Sequence, residues 1–426
     1  MIASFFPNPR VFFPSAVLWA LFCILFWYMF ARDWGPHLSL GNLVGLPYPV
    51  APVAGGSGDA ESEFTIIQNV AADIYLYEYM IVGGALFTAY WYRQGPRQWF
   101  WWAVVVSQVI VFIDWFQVQL DVLLNDWFGS FYDLIQKALG APNTVGAGDY
   151  YGQLTTFLTI AMISIMVAVG NAFLVSHYIF RWRMAMNAYY VRHWEQLRKV
   201  EGASQRVQED TMRFASTVED LGISLIDSVL TLIAFLPLLW GLSSFVTALP
   251  FFGHVPQALV FVAIFWSAFG TALLAAAGVR LPGLNFRNQR VEAAYRKELV
   301  LGEDDAERAQ PPTLAMLFDA VRRNYFYIYL NYLYFNIARY GYLQAGTLVP
   351  YIALAPTILA AGFTLGVMQQ ILRAFDRVTS SFQYLANSWS TIVELISIYK
   401  RLHAFESTLD AKPLAPIEHE PTTEAG

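Results

Sequence analysis

Apolar residues in this chain come in long unbroken runs, not in strand-like alternation or a narrow helical stripe. Six runs long enough to cross a bilayer lie at 11–31, 74–92, 99–123, 154–180, 217–247 and 256–279. Two more, at 326–360 and 364–396, are interrupted by Asn331, Asn336, Arg339, Arg373 and Asp376. About 20 apolar helical residues span the ~30 Å hydrocarbon core, and only helices and closed barrels satisfy their backbone there. The pattern therefore predicts an all-α polytopic membrane protein with about eight transmembrane helices per chain. The first run follows Arg10 as a signal peptide would, but it is longer than a usual apolar signal segment. It continues into Arg32-Asp33-Trp34, with no small-residue cleavage site, and is expected to remain as a membrane helix.

Charge placement orients the chain. Of the 26 Lys and Arg, only Arg32 and Lys137 fall in one set of alternate loops, and Arg339, Arg373 and Arg377 lie within spans. The rest occupy the N-terminal stub, the Arg93/Arg97 turn, 181–213, 280–323 and the tail. This positive-inside pattern predicts cytoplasmic N- and C-termini, as an even number of spans requires. The first outer loop carries Asp59, Glu61 and Glu63 instead. Residues 181–213 and 286–308 are charged and lack strong breakers, so both are expected to prolong their flanking membrane helices into the cytoplasm. Pro311 and Pro312 should end one helix and start another at 313–324. The stretch 408–426, rich in Pro, Thr and Glu, reads as a disordered tail.

Composition agrees with this class. Hydrophobic residues make up 57% and charged residues 14%, against about 25% charged in soluble domains. The net charge of −6 and the absence of a basic stripe give no reason to expect nucleic acid as a partner. Cys23, the single cysteine, cannot form an intrachain disulfide and reads as a small hydrophobe. The sequence has no phosphate-binding G-x-x-x-x-G-K-[ST] loop, no H-E-x-x-H and no G-x-S-x-G, and its six histidines are scattered. No metal, no cofactor and no catalysis on a substrate are expected; the chain is not read as an enzyme.

The chemistry-bearing residues are the polar groups inside spans. A charge at that depth costs at least ~2.5–3.5 kcal/mol on insertion scales, so each needs a partner or a water-filled cavity. Asp114, Gln117 and Asp121 share one helix face, Glu219, Asp220 and Asp227 lie in the 217–247 run, and the last run carries Gln369, Arg373, Asp376, Ser380, Gln383, Asn387 and Glu394. Any one of these could be helix–helix glue. A stripe this long fits a hydrated pathway better. Near the expected cytoplasmic ends, Glu209/Arg213 and Glu292/Arg296 have the i, i+4 spacing of ordinary surface salt bridges, and proton binding is the alternative.

Several segments are more specific than patterning. They include Ser4-Phe5-Phe6-Pro7, Phe131-Tyr132-Asp133-Leu134-Ile135-Gln136, and Ser176-His177-Tyr178 followed by Phe180-Arg181-Trp182-Arg183. Further on come the run from Gln205 to Phe214 and the run from Asn288 to Glu298, which continues to Gly302-Glu303-Asp304-Asp305. In these the chain resembles the SbmA/BacA family of bacterial inner-membrane peptide-uptake proteins, and its membrane region is similar to that of peroxisomal-type ABC exporters. The resemblance implies a homodimer with an ABC-exporter-like core and no nucleotide-binding domain, driven by the proton gradient. A two-helix segment with a periplasmic loop (1–95) would precede a six-helix domain (96–408) and the tail (409–426). It also implies cavity glutamates at Glu209, Glu219, Glu292 and Glu303. The family often has Glu where Gln119 and Asn285 stand here, which leaves Asp121 as a substitute proton site. Implied cargoes are cationic or modified peptides: microcins, bleomycin-type glycopeptides, and proline-rich or defensin-like antimicrobial peptides. The alternatives are a permease subunit powered by a separate ATPase and a membrane scaffold acting on envelope lipids.

Overall fold

The computed structural model describes residues 2–44, 59–95, 98–200, 203–250, 253–305, 307–407 and 409, and among them there are helices and no strands. The main helices are α1 (Pro9–Met29), α2 (Asp59–Arg93), α3 (Ser107–Gly140), α4 (Ala147–Arg192) and α5 (Thr211–Leu242). They are followed by α6 (Ala258–Gly278), α7 (Leu281–Asp304), α8 (Pro311–Leu359), α9 (Leu365–Asn387) and α10 (Trp389–Ser407). Six stretches are long and apolar enough to cross a membrane: Pro9–Met29, Trp101–Gly140, Ala147–Arg192, Ala203–Phe245, Ala258–Glu303 and Pro311–Leu359. The runs at 74–92 and 364–396 are helical but are not among these six. Tyr residues, Gly83, Gly84 and Glu78 dilute the first, and the polar stripe dilutes the second.

Local chemistry explains the boundaries. Pro311 and Pro312 open α8, where a missing N–H is no loss. The helix then runs unbroken to Leu359, so the expected 313–324 helix and the 326–360 span are one element. In the 181–213 connection α4 continues to Arg192, a short helical turn follows at Trp194–Leu197, and a widened π turn, Arg206–Asp210, leads into α5. Residues 45–58 and 410–426, which hold most of the first outer loop and most of the expected tail, lie outside the described residues, as does Arg97.

The chain divides into two compact units, each assembled from non-contiguous segments. In the first (1–113, 169–219, 397–426), α1 and α2 are tied by side chains donating to carbonyl groups: Trp19 to Gly83 (3.0 Å), Tyr79 to Cys23 (2.8 Å) and Tyr75 to Ala31 (2.9 Å). Phe5, 1% exposed, stacks on Trp182 and meets Tyr178 edge-on, which gives the Ser4–Pro7 segment a packing role. Leu18, Leu21 and Leu25 of α1 remain exposed, as expected of a lipid-facing surface.

The second unit (114–168, 220–396) is built around Val118, Phe235, Leu239, Leu259, Ala263, Leu354, Ile371, Phe375 and Val378, drawn from five helices. Helices α7 and α8 form a hairpin. Asn288, Glu292, Tyr295, Glu298 and Gly302 follow in helical steps of three and four on α7. Along this face the Asn288 side-chain carbonyl accepts from the buried Asn324 amide (3.0 Å), Glu292 accepts from the Tyr325 hydroxyl (3.1 Å), Tyr295 meets Phe318, and Glu298 accepts from the Ala309 N–H (3.2 Å). Gly302 lets the connection fold back, since a Cβ there would lie 2.3 Å from that of Ala309.

Helix α9 packs antiparallel to α3. The Asp133 carboxylate and the Gln136 side-chain oxygen accept from the N–H groups of Gly366 and Leu365, each at 2.7 Å, capping α9 from another helix. One turn on, Gly366 and Gly129 meet: a Cβ on Gly366 would lie 2.1 Å from the Gly129 carbonyl oxygen. Small residues at such a crossing let two membrane helices approach closely. Gly366→Ala should therefore force the pair apart and lower stability by about 1–3 kcal/mol, read as a lower thermal midpoint of the detergent-solubilised protein. Gly152→Ala, where a Cβ meets nothing within 4 Å, should be neutral or slightly stabilising in the same assay.

Candidate functional site

Helix α9 is divided lengthwise. Ile371, Ala374, Phe375 and Val378, none more than 2% exposed, point into the core of the second unit. On the other side Asp376 and Ser380 are exposed, with Gln369 and Arg373 at the edges. The polar stripe is thus a real face from Gln369 to Ser380. Gln383 departs from it: Gln383 is buried and donates to the Tyr342 hydroxyl of α8. Glu394 lies exposed on α10. The side chain of Asn387 is outside those described.

Charged groups gather where α3, α5 and α9 meet. Asp121 pairs with Arg377 at 2.8 Å. The Arg373 guanidinium lies 3.9 Å above the Phe128 ring, a cation–π contact that places a charge against an apolar surface. Gln370 donates to Asp126 (3.4 Å), and Gln117 donates to Ser164 (2.5 Å). Tyr384 of α9 donates to the Leu221 carbonyl of α5 (2.5 Å). Asp227, also on α5, is exposed and lies within coulombic range of Arg377 and Asp121.

The glutamates are spread over both units. In the first, Glu209 on the π turn accepts from Gln205 (3.1 Å) and pairs with Arg213 (2.8 Å), so the surface salt bridge read from the i, i+4 spacing forms. It borders a groove lined by Arg183, Ser204, Gln205, Gln208 and Met212. Glu219 is partly buried on α5. In the second unit Glu292 turns to Tyr325 on the hairpin face, and Glu303 is exposed one residue after Gly302. Asn285, where the family often has Glu, donates weakly to the Tyr332 hydroxyl (3.5 Å).

One pair in the first unit escaped the sequence reading. Asp210, its side chain 8% exposed, receives two hydrogen bonds from Arg401, 3.1 Å from Nε and 2.8 Å from Nη2. Beside it the buried Tyr190 hydroxyl donates to Glu406 (2.9 Å). The signal was present in the Gln-Glu-Asp triplet, but only the π turn decides that Asp210 faces inward and Glu209 outward.

The sequence pattern of the SbmA/BacA-like family matches residues 96–410. The chain belongs to that family. Among curated relatives, the inner membrane ABC transporter ATP-binding protein YddA of Escherichia coli is 23% identical over 355 residues, 77% of this chain and 60% of its own length. An uncharacterized ABC transporter ATP-binding protein of Haemophilus influenzae is 23% identical over 321 residues, 71% of this chain and 53% of that one. ABC transporter D family member 2, chloroplastic, of Arabidopsis thaliana is 24% identical over 247 residues, 54% of this chain and 33% of its own. The chain thus spans little more than half the length of the first two. Family and relatives together support a multi-pass membrane transporter.

Arg401→Ala leaves the buried Asp210 carboxylate without its charged donors. The loss should be about 1.5–3 kcal/mol, the range for hydrogen bonds to charged groups, below that of a fully buried pair because Arg401 is partly exposed. Thermal unfolding in detergent should show it, and Glu209→Ala, which breaks only a surface pair, should cost under about 1 kcal/mol.

Proposed function

We propose that this chain is a proton-driven importer of peptides and peptide-like antibiotics in a bacterial inner membrane, working by alternating access of a homodimer. The observation that carries this reading is the accessible polar face of α9, with Asp376 and Ser380 exposed opposite a packed apolar face. Charge on an accessible surface within a membrane domain avoids lipid, so this face belongs against water or a second copy of the chain. A homodimer enclosing a hydrated cavity satisfies both.

In this mechanism a cationic peptide enters from the periplasm, drawn by carboxylates that include Asp376, Glu219 and Glu292. Protonation neutralises the acidic walls, weakens the hold on the cargo, and allows the dimer to open toward the cytoplasm, where both termini lie. The segment 1–95 adds two helices to the six-helix region 96–408. The family likeness supports peptide uptake, and microcins, bleomycin-type glycopeptides and proline-rich or defensin-like peptides are the cargo classes. ATP-driven transport is the second reading, favoured by the relatives named as ATP-binding. No phosphate-binding loop occurs in the 426 residues, so the nucleotide would be bound elsewhere.

Reconstituted vesicles separate the two. Uptake of a fluorescent bleomycin-type glycopeptide should follow an imposed pH gradient without ATP and collapse with a protonophore. A requirement for ATP and an added ATPase would establish the second reading. In cells, Glu209→Gln and Glu292→Gln variants that reach the membrane should lower bleomycin sensitivity at least tenfold. Retained sensitivity would remove these glutamates from the mechanism, and an intact protein that confers no sensitivity would favour the scaffold.

A further inference from the structure

We propose that Asp121, Asp227 and Arg377 form a proton-exchange site inside the membrane domain, in which two carboxylates on different helices compete for one guanidinium. The proposal rests on the proton-driven reading and names where the coupling occurs.

Two contacts set the geometry. Asp121 on α3 holds Arg377 on α9 at 2.8 Å. Tyr384 of α9 binds the Leu221 carbonyl of α5. From Leu221 to Asp227 is about 9 Å along α5, and from Tyr384 back to Arg377 is about 10 Å along α9, at ~1.5 Å per residue. Phe235 of α5 meets Ile371 of α9 in the core while Leu221 meets Tyr384, so the two helices run antiparallel and Asp227 comes level with Arg377. Among the described residues, Arg373 and Asp376 lie within about one turn of Arg377 on α9, and Asp126 on α3 accepts from Gln370.

Counting charges favours proton uptake. Arg373 and Arg377 face Asp121, Asp126, Asp227 and Asp376, so carboxylates outnumber guanidiniums when all are ionised. A proton bound by one carboxylate lowers that excess negative charge. Two unmet polar groups point to water at the site. Asn125, one turn beyond Asp121 on α3, is 1% exposed with neither its amide nitrogen nor its oxygen hydrogen-bonded, and the buried Arg373 Nε also lacks a partner. Buried polar groups of this kind ordinarily bind ordered water.

The step balances simply. A proton arriving from the periplasmic side adds to the Asp121 carboxylate and breaks its ion pair. Arg377 passes to Asp227, and the proton leaves toward the cytoplasm when Arg377 returns. No other bond changes.

The test compares gradient-driven accumulation with counterflow exchange of a fluorescent bleomycin-type glycopeptide in vesicles of the full chain. Asp227→Asn should lower the ratio of accumulation to counterflow at least tenfold and flatten the pH profile of counterflow. Asp227→Glu should restore accumulation with a displaced profile. Wild-type ratio and profile in Asp227→Asn, or equal loss of both activities, would overturn the site. Should Asp227→Asn not fold, an unchanged pH profile in Asp227→Glu would do the same. Wild-type vesicles that fail to accumulate cargo would instead refute the proton-driven reading itself.

Discussion

A charge cannot rest in hydrocarbon unpartnered, and much of the second unit is arranged by that constraint. Arg377 meets Asp121, and Arg373 lies on the face of Phe128. These contacts require α3 and α9 to run close together, and Gly129 against Gly366 supplies the clearance. The seam is consistent along its length: Asp133 and Gln136 cap the start of α9, Gln370 reaches Asp126, and Asp121 reaches Arg377. Residue numbers rise along one helix as they fall along the other. Capping, close packing and ion pairing thus serve one interface.

The α7–α8 hairpin follows the same logic without a buried charge pair. The Asn288–Glu298 run, the most specific stretch of the sequence, places its polar side chains against α8. Glu292 sits there as a partly buried carboxylate bonded to a tyrosine, not as half of a surface salt bridge with Arg296. Its surroundings differ from those of Glu209, which keeps an arginine partner and lies on a groove. Four glutamates grouped by family likeness therefore occupy distinct environments.

Much of this was legible in the sequence because bilayer thickness imposes a length on apolar runs. The helical class, six of the eight expected membrane stretches and the break at Pro311 and Pro312 follow from that and from proline chemistry. The polar stripe was legible as far as Ser380, since helical periodicity alone places Gln369, Arg373, Asp376 and Ser380 together. It misplaced Gln383, because periodicity does not say which neighbour covers a face, and α8 covers it here through Tyr342. Asp210 was missed for a related reason: a π turn changes the angle between successive residues, and nothing in Gln-Glu-Asp announces one. The pairing of Asp121 with Arg377 spans the chain from α3 to α9, and spacing within one helix carries no information about a partner on another.

The two ends of the α3–α9 seam are held by different contacts. At one end Asp133 caps backbone N–H groups, and α9 keeps a second acceptor there in Gln136. At that same end the contact of Gly366 with Gly129 is steric and indifferent to pH. At the far end the Asp121–Arg377 ion pair adds to the apolar core that Val118, Phe375 and Val378 share, and in the proposed coupling Asp227 takes the arginine. Under the proposed coupling, protonation therefore loosens one end while the glycine contact stays closed. That converts a change at a single carboxylate into rotation about a fixed point, the kind of motion by which an alternating-access protein exposes one side and then the other.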